Sequence, residues 1–415
     1  MMLEKYSFGI GDRFGHQGRA QLGAIIEAKK SGVDITPVWN KSNREHMTIH
    51  TVPLDTRKAA DAAVNALGYS GPYRVDADHI NLKNVDGFIE SSDFFTLDVA
   101  DFTGQRAAKN EIDSFVEKCK KYIGLLQIPG IADTFTITAT MIETIAGKYL
   151  LAVKEAGKIY HHIESAKGKA NFITEVSMDE TNVPQTPIEM FFILAAIADE
   201  GIPAQTIAPK FTGRFNKGVD YVGDVAQFAK EFEQDVAVIA FAIKEFGLPK
   251  NLKLSVHSGS DKFSVYGAIN KTLKKFNAGV HVKTAGTTWL EEVIGLAMAG
   301  SEGLVIAKRI YREAMGRFDE LCSPYATVID IDKAKLPSPD AVDKWSGEDY
   351  ASTLRHDRRC AKYNPHFRQL VHVGYKVAAQ MGEVYLRALV KYEDIIAANV
   401  WYNILERHIK PIFLS

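Results

Sequence analysis

Four short runs of this chain share one pattern: Val-Asp-Ala-Asp-His (75–79), Glu-Val-Ser-Met-Asp-Glu-Thr (175–181), Val-His-Ser-Gly-Ser-Asp-Lys (256–262) and Val-His-Val-Lys-Thr-Ala-Gly (280–286). Each alternates apolar with polar or ionisable residues and then breaks into a loop. Side chains along a β-strand point to opposite faces in turn, so each run carries one apolar and one charged face. The apolar face can lie under helices. The charged face must line something wet or ligand-filled, because an unpaired buried charge is strongly unfavourable. Four such strands in one chain predict an active site inside a barrel.

The rest of the chain supplies the other strands. Strand-like segments recur at 6–10, 35–39, 73–77, 94–99, 172–178, 205–211, 252–257 and 280–283, with helical stretches between them at 18–30, 57–67, 187–199, 225–246 and 287–298. Breaks at Ser31-Gly32, Asp199-Glu200-Gly201 and Phe246-Gly247 fall where those helices should end. Eight βα units in about 300 residues predict a closed (β/α)8 TIM barrel ahead of an open doubly wound sheet. The expected organisation is a barrel over 1–302 and a helical C-terminal extension, 303–415, packed on it. A helical insertion at about 105–169, with helices at 112–126, 134–156 and 160–166, follows the fourth strand.

Composition excludes several classes. Of 415 residues 24% are charged, and the formal net charge is −1, so nothing draws the chain to nucleic acid or an anionic membrane. Cys119, Cys322 and Cys360 are too few and too scattered for a disulfide framework or a cysteine metal site. Residues 1–10 lack an apolar signal core, and the greasiest stretch, 190–198, is far short of the ~20 residues a membrane span needs. The expectation is a soluble cytoplasmic protein acting on a small molecule, with a homo-oligomer compatible with this composition.

Alternation sorts the site candidates. Asp76 and Asp78 share the inward face of the third strand, Thr96 and Asp98 that of the fourth, and Glu175, Ser177 and Asp179 that of the fifth. Ser255 and His257 follow in the seventh, and His281 and Lys283 in the eighth. Barrel enzymes keep catalytic groups at strand C-termini. Asp76 and Asp98 would lie deeper, where they could neutralise an interior lysine such as Lys253, while Ser177 and Ser255 read as small packing groups. Glu175, Asp78, His257 and His281 would share one cavity and all need partners, which a divalent cation supplies at once. His257, His79 and His281 are the candidate metal ligands, His79 standing at the rim where alternation ceases to fix its direction. Zn, Mn, Ni or Fe would each suit such a set. Arg13, Lys210, Lys262 and Lys283 could pair a substrate carboxylate, and Asp179 counts with them as a substrate contact. The glycines of Gly9-Ile10-Gly11 would let backbone N–H groups approach a ligand, although their spacing is not a dinucleotide fingerprint. His46, His50, His161 and His162 read as ordinary surface or core histidines.

Seven motifs together resemble the tagaturonate/fructuronate epimerase family: Ser-Phe-Gly-Ile-Gly-Asp-Arg-Phe-Gly (7–15), Asp-Ala-Asp-His (76–79), Glu-Val-Ser-Met-Asp-Glu-Thr (175–181), Lys-Gly-Val-Asp-Tyr-Val-Gly-Asp (217–224), His-Ser-Gly-Ser-Asp-Lys-Phe-Ser-Val-Tyr (257–266), His-Val-Lys-Thr-Ala-Gly (281–286) and Arg-Gln-Leu-Val-His-Val (368–373). The resemblance implies a metal-dependent epimerase of hexuronate catabolism acting on a sugar acid. It implies Asp78 and Glu175 as the acid/base pair, with His79 and His257 among the metal ligands. Two departures stand out: this chain starts almost at its first strand, where longer members carry an extra segment, and Arg214 and Asn216 occupy positions where carboxylates are expected. Asn216 could then serve only as a neutral oxygen donor.

In the implied substrates the inverted carbon bears a hydroxyl β to a ketone. Its C–H is not acidified by the carbonyl, so a retro-aldol/aldol route is expected in place of simple deprotonation. The competing readings are a metal-dependent ketose isomerase or aldolase, or a non-catalytic sugar-binding barrel. A kinase is disfavoured by the lack of a Gly-x-x-x-x-Gly-Lys-Ser/Thr loop.

Overall fold

The structure, a computed structural model, describes residues 1–179, 181, 183–284 and 287–414. Glu180, Ala285 and Gly286, which belong to two of the motifs above, lie outside the described residues. The strands are β1 (Tyr6–Gly11), β2 (Thr36–Ser42), β3 (Arg74–Ile80), β4 (Phe94–Asp98), β5 (Gly124–Gln127), β6 (Thr134–Ile137), β7 (Ile173–Ser177), β8 (Thr206–Ala208), β9 (Lys253–His257) and β10 (Val280–Lys283). Eight of them close a barrel in the order β1-β10-β9-β8-β7-β4-β3-β2, with every pairing parallel. The predicted (β/α)8 barrel is the fold observed.

The alternation read from the sequence is the reason. Val75, Ala77, Phe95, Leu97, Val176, Leu254, Val256, Val280 and Val282 are buried in the main core, between strands and helices. Removing each such side chain from water is worth roughly 1.5–3 kcal/mol for the larger ones. A separate small cluster of Leu3, Val38, Phe94 and Ile173 fills the barrel interior at its N-terminal end. The polar residues of β3, β4, β7, β9 and β10 stack above that plug, towards the strand C-termini. β8 is shorter than the predicted 205–211, because Pro209 has no N–H to continue the ladder.

Helix ends follow the sequence cues. The helix Val225–Phe246 starts where Asp224 accepts hydrogen bonds from the N–H groups of Ala226 and Gln227, and buries Phe228, Phe232, Val236 and Ile239 on one face. It stops at Gly247, whose φ of +67° suits glycine.

The insertion differs from expectation. A helix at Lys109–Cys119 is followed by an antiparallel hairpin, β5–β6, and then by one helix, Ala139–Lys167. The hairpin strands are only four residues long, too short to show a period, and Leu125 in β5 is exposed. The two helices expected at 134–156 and 160–166 are one, because its buried face runs on through Ala152, Val153, Ala156, Gly157, Ile159 and Tyr160.

The C-terminal region, from the helix Ser301–Gly316 onwards, is helical and packs on the barrel. Its helix Glu393–Tyr402 lies against the helices Thr287–Met298 and Gly18–Lys30, and Trp289 Nε1 donates to the Val371 carbonyl at 3.0 Å. Among the described residues no helix is long and apolar enough to cross a membrane.

Candidate active site

A fault in the β3 ladder builds the first wall of the site. Between Ala77 and Ile80 three steps on β3 oppose two on β4, and His79 takes a left-handed φ of +52°. An extra residue in one strand bends it and re-aims its side chains. Here it lets consecutive residues, Asp78 and His79, both face the cavity. A β-branched or bulky residue would be strained at that φ, so the site stores some backbone energy.

His79 and His257 are held alike. Nδ1 of His79 lies 3.2 Å from Asp98 Oδ2, while its Nε2 faces the cavity 3.9 Å from Asp78 Oδ1. At the end of β9, His257 bonds through Nε2 to Glu175 Oε1 at 2.8 Å. Its Nδ1 is buried 3.1 Å from Asp179 Oδ2, yet no aligned hydrogen bond joins the two atoms. Asp179 is fixed in turn by Ser177, whose hydroxyl donates to Oδ1 at 2.6 Å. The two imidazole centroids are 5.2 Å apart. His79, Asp179 and His257 each offer one ligand atom, all within 4.8 Å of one another.

Beneath this trio Lys283 gathers three carboxylates. Its Nζ lies 2.8 Å from Asp76 Oδ2, 2.9 Å from Glu175 Oε1 and 3.0 Å from Asp78 Oδ1, and donates to Thr96 Oγ1. Gly9 makes this possible: a Cβ there would stand 2.8 Å from Lys283 Cγ. The first Gly of the Gly9-Ile10-Gly11 stretch thus clears space for a lysine.

The electrostatics follow. Burial alone would discharge Lys283, but Asp76, Glu175 and Asp78 outweigh it and hold the ammonium charged. One cation cannot serve three anions equally. Burial pushes Asp76 up to about 7 against the pull of Lys283, while Lys283 and then His79 overcome burial at Asp78 and bring it down to about 2. Lys283 and His257 likewise hold Glu175 well below the usual carboxylate range despite its burial. Burial opposes charge on both histidines. Asp179 nevertheless lifts His257 to about 9, and Asp78 and Asp98 lift His79 to about 10. Without a metal both rings therefore keep a proton, which a bound cation would displace.

These features line one cavity of about 900 Å³, within the range of small-molecule sites. Of the candidates named from the sequence, Asp78, His79, Asp179, His257, Lys283, Arg13, Asn216 and Lys210 line it. Glu175 sits just behind the wall, fully buried.

Three assignments need correction. His281 does not join the trio: it lies two residues deeper than Lys283 on the same face, roughly 6–7 Å down the barrel. There its Nδ1 meets Ser7 Oγ at 2.9 Å and its ring packs on Phe94, and burial holds it neutral, down to about 3. Asp179 occupies the third corner in its place. Lys262 turns away from the cavity, its Nζ donating to Ser260 Oγ at 3.0 Å and to the Asp261 carbonyl at 3.3 Å. Asp98 is not deep but at the mouth, and Lys253 reaches the Glu4 carbonyl, leaving Asp76 to Lys283. The cavity residues Asn40, Lys217 and His372 were not singled out as site residues in the sequence. Asn40 was open to detection, since it falls two residues after Val38 on the inward face of β2.

A closed (β/α)8 barrel with a histidine–carboxylate trio over a buried lysine, all at the strand C-termini, defines a barrel enzyme for small polar molecules. Comparison with known proteins makes this specific. Residues 1–411 match the family model UxaE, tagaturonate epimerase, and the chain belongs to that family; it is an isomerase of the epimerase type. It is similar to the tagaturonate/fructuronate epimerase of Thermotoga maritima, with 29% identity over 97% of this chain and 79% of that protein. The crystal structure of the fructuronate-tagaturonate epimerase of Cohnella laeviribosi superposes with a TM-score of 0.80 at 24% identity, over 99% of this chain and 82% of that one. A probable tagatose 6-phosphate kinase of Sinorhizobium meliloti shares the fold alone, at TM-score 0.51 and 9% identity over 98% of this chain and 99% of that one.

Proposed function

We propose that the protein is a metal-dependent epimerase interconverting keto-hexuronates, D-tagaturonate and D-fructuronate or a close analogue, by retro-aldol and aldol steps. One observation carries the metal reading. Each imidazole is tethered through one nitrogen to a carboxylate; the other nitrogen of His79 faces the cavity 3.9 Å from Asp78, and that of His257 is a buried atom 3.1 Å from Asp179 without an aligned partner. Carboxylate-tethered histidines are the usual supporting arrangement of metal ligands. His79, Asp179 and His257 would hold the ion, of Zn, Mn, Ni or Fe type. A divalent cation held by these three residues would supply Lewis acidity towards the ketone of the substrate.

The substrate identity rests on family membership and on the cationic groups of the cavity. Asp78, held ionised on the cavity wall, accepts the β-hydroxyl proton as the bond to the inverted carbon opens. Glu175 lies behind the wall and is ionised like Asp78, so the proton that Asp78 takes is the one given back to the new alkoxide, shared meanwhile with Glu175 through Lys283 Nζ, which touches both carboxylates. Holding the two fragments in one cavity while the aldehyde turns its other face gives an advantage of up to ~7–11 kcal/mol over free re-addition. The three cysteines are free, in keeping with a cytoplasmic role in hexuronate catabolism.

The reaction run in deuterated water and followed by NMR tests this. Inversion without deuterium at the inverted carbon is expected. Stoichiometric deuterium there excludes the retro-aldol route, and two separate fragments as products would make the enzyme an aldolase.

A further inference from the structure

The trio and Lys283 occupy one part of the cavity. Elsewhere on its wall are three polar side chains, each buried, with atoms that nothing in the structure satisfies. Arg13, in the loop after β1, spends Nε on Glu45 Oε1 at 2.9 Å and stacks on the Tyr375 ring at 4.0 Å, which leaves Nη1 without a partner. Asn40 on β2 has neither Nδ2 nor Oδ1 bonded, at 2% exposure. His372, on the helix Pro365–Val373, has neither ring nitrogen bonded, at 1% exposure. All three line the same cavity.

Buried polar groups are almost always hydrogen-bonded, and a cluster of exceptions calls for a missing partner. Three elements distant in sequence bring orphan atoms to the wall of one cavity, and Arg13 stands near enough to His372 to act on its ring, so one partner can serve them. Lys217, also on the wall, adds a positive charge to the cavity. Glu45 is on the wall as well, but its charge is taken up by Arg13 and by the N–H of Ser42. The ring of His372 is held neutral by burial and then by the nearby Arg13 and Lys217, so it offers one donor and one acceptor. A guanidinium edge, an amide and a neutral imidazole together match a carboxylate with an adjacent hydroxyl.

We infer that Arg13, Asn40 and His372 form the subsite that takes the carboxylate end of a sugar acid and so sets the preference for acid over neutral sugar. The sugar-acid identity rests on the function proposed above; the vacancy in the hydrogen bonding does not. Nothing in the fold depends on hydrogen bonds from Asn40 or His372. Replacing an unpartnered buried polar group by an apolar one of similar shape should therefore leave stability unchanged or raise it. A merely structural role predicts the opposite.

The test uses Asn40→Leu, His372→Phe and Arg13→Lys, the last keeping the charge opposite Glu45. Binding of D-galacturonate and of D-galactose to each protein is measured by titration calorimetry, beside thermal melting and epimerase kinetics on the keto-hexuronate. Wild type is expected to prefer the acid, each variant to lose about 10-fold or more of that preference, and the first two to melt no lower than wild type. A preference unchanged in all three variants, or absent from wild type, overturns the subsite. If wild type shows no epimerisation while the acid preference still depends on these residues, the proposed reaction falls and the subsite stands. If epimerisation is present and the preference ignores them, the reverse holds.

Discussion

Two buried charge clusters sit on either side of the β9 loop, and they are built on opposite principles. At the cavity, Lys283 faces Asp76, Asp78 and Glu175, a surplus of carboxylates. Glu175 Oε2 and His257 Nδ1 there are left without aligned partners. Between the barrel and the C-terminal helices, Asp261 faces Arg368 at 2.8 Å and His356 at 3.1 Å, and accepts from Thr287 Oγ1 at 3.0 Å. Arg368 completes its set by donating to the carbonyls of Gly218 at 2.5 Å and Leu354 at 2.8 Å. His408 Nε2, 3.4 Å from Asp261, lies near without an aligned bond. One cluster is charge-matched and closed. The other is mismatched and open to a cavity, which is what a site needs if its groups are to act on something else.

That contrast breaks if the two clusters respond alike to substitution. Asp78→Asn should have the largest effect on chemistry, lowering kcat by about 10²–10⁴-fold, as loss of a general base does. It also removes a carboxylate that Lys283 and His79 hold ionised in the fold, so the melting temperature should fall by a few degrees. A large drop in melting temperature would put Asp78 in the structural class. Arg368→Met should do the reverse. It strands Asp261 without its guanidinium in a fully buried setting and should cost about 3–5 kcal/mol in denaturant unfolding. The kcat of protein still folded at low temperature should stay near wild type.

The sequence carried the barrel because β alternation has a period of two and each of the four polar strands repeats it. It carried the face of each side chain but not its depth. His281 and Lys283 share a face, and only the register with β1, Ser7 against His281 and Gly9 against Lys283, shows that one is in the interior and the other at the mouth. The same ambiguity put Asp98 too deep. The inward turn of His79 depends on a register fault that no local pattern announces. Lys262 and His372 were beyond alternation altogether, one in a loop and the other on the C-terminal helix Pro365–Val373, so tertiary placement decides their direction. The short β5–β6 hairpin had too few residues to show a period.

Two smaller effects sharpen the comparison further. At the open cluster, Asp98 touches the tethered nitrogen of His79, not the free one. Asp98→Asn should therefore weaken divalent-metal affinity by about 10–100-fold, read by competition with a chromophoric chelator, with the fold intact. Unchanged affinity would mean that His79 is oriented by its backbone alone. At the closed cluster, burial pushes Glu291 up to about 7 from an ordinary 4.5, against the pull of Arg368. The folded state thus binds this proton more tightly than the unfolded chain does. Its contribution to stability is full below about 4.5 and is lost as pH rises through about 7. The melting temperature should fall by a few degrees across that window. Glu291→Gln should flatten the fall, because an amide keeps the acceptor for Asn403 Nδ2, 3.2 Å from Oε1, and has no proton to lose. A fall that survives the substitution would assign the titration to Asp76, and with it to the open cluster.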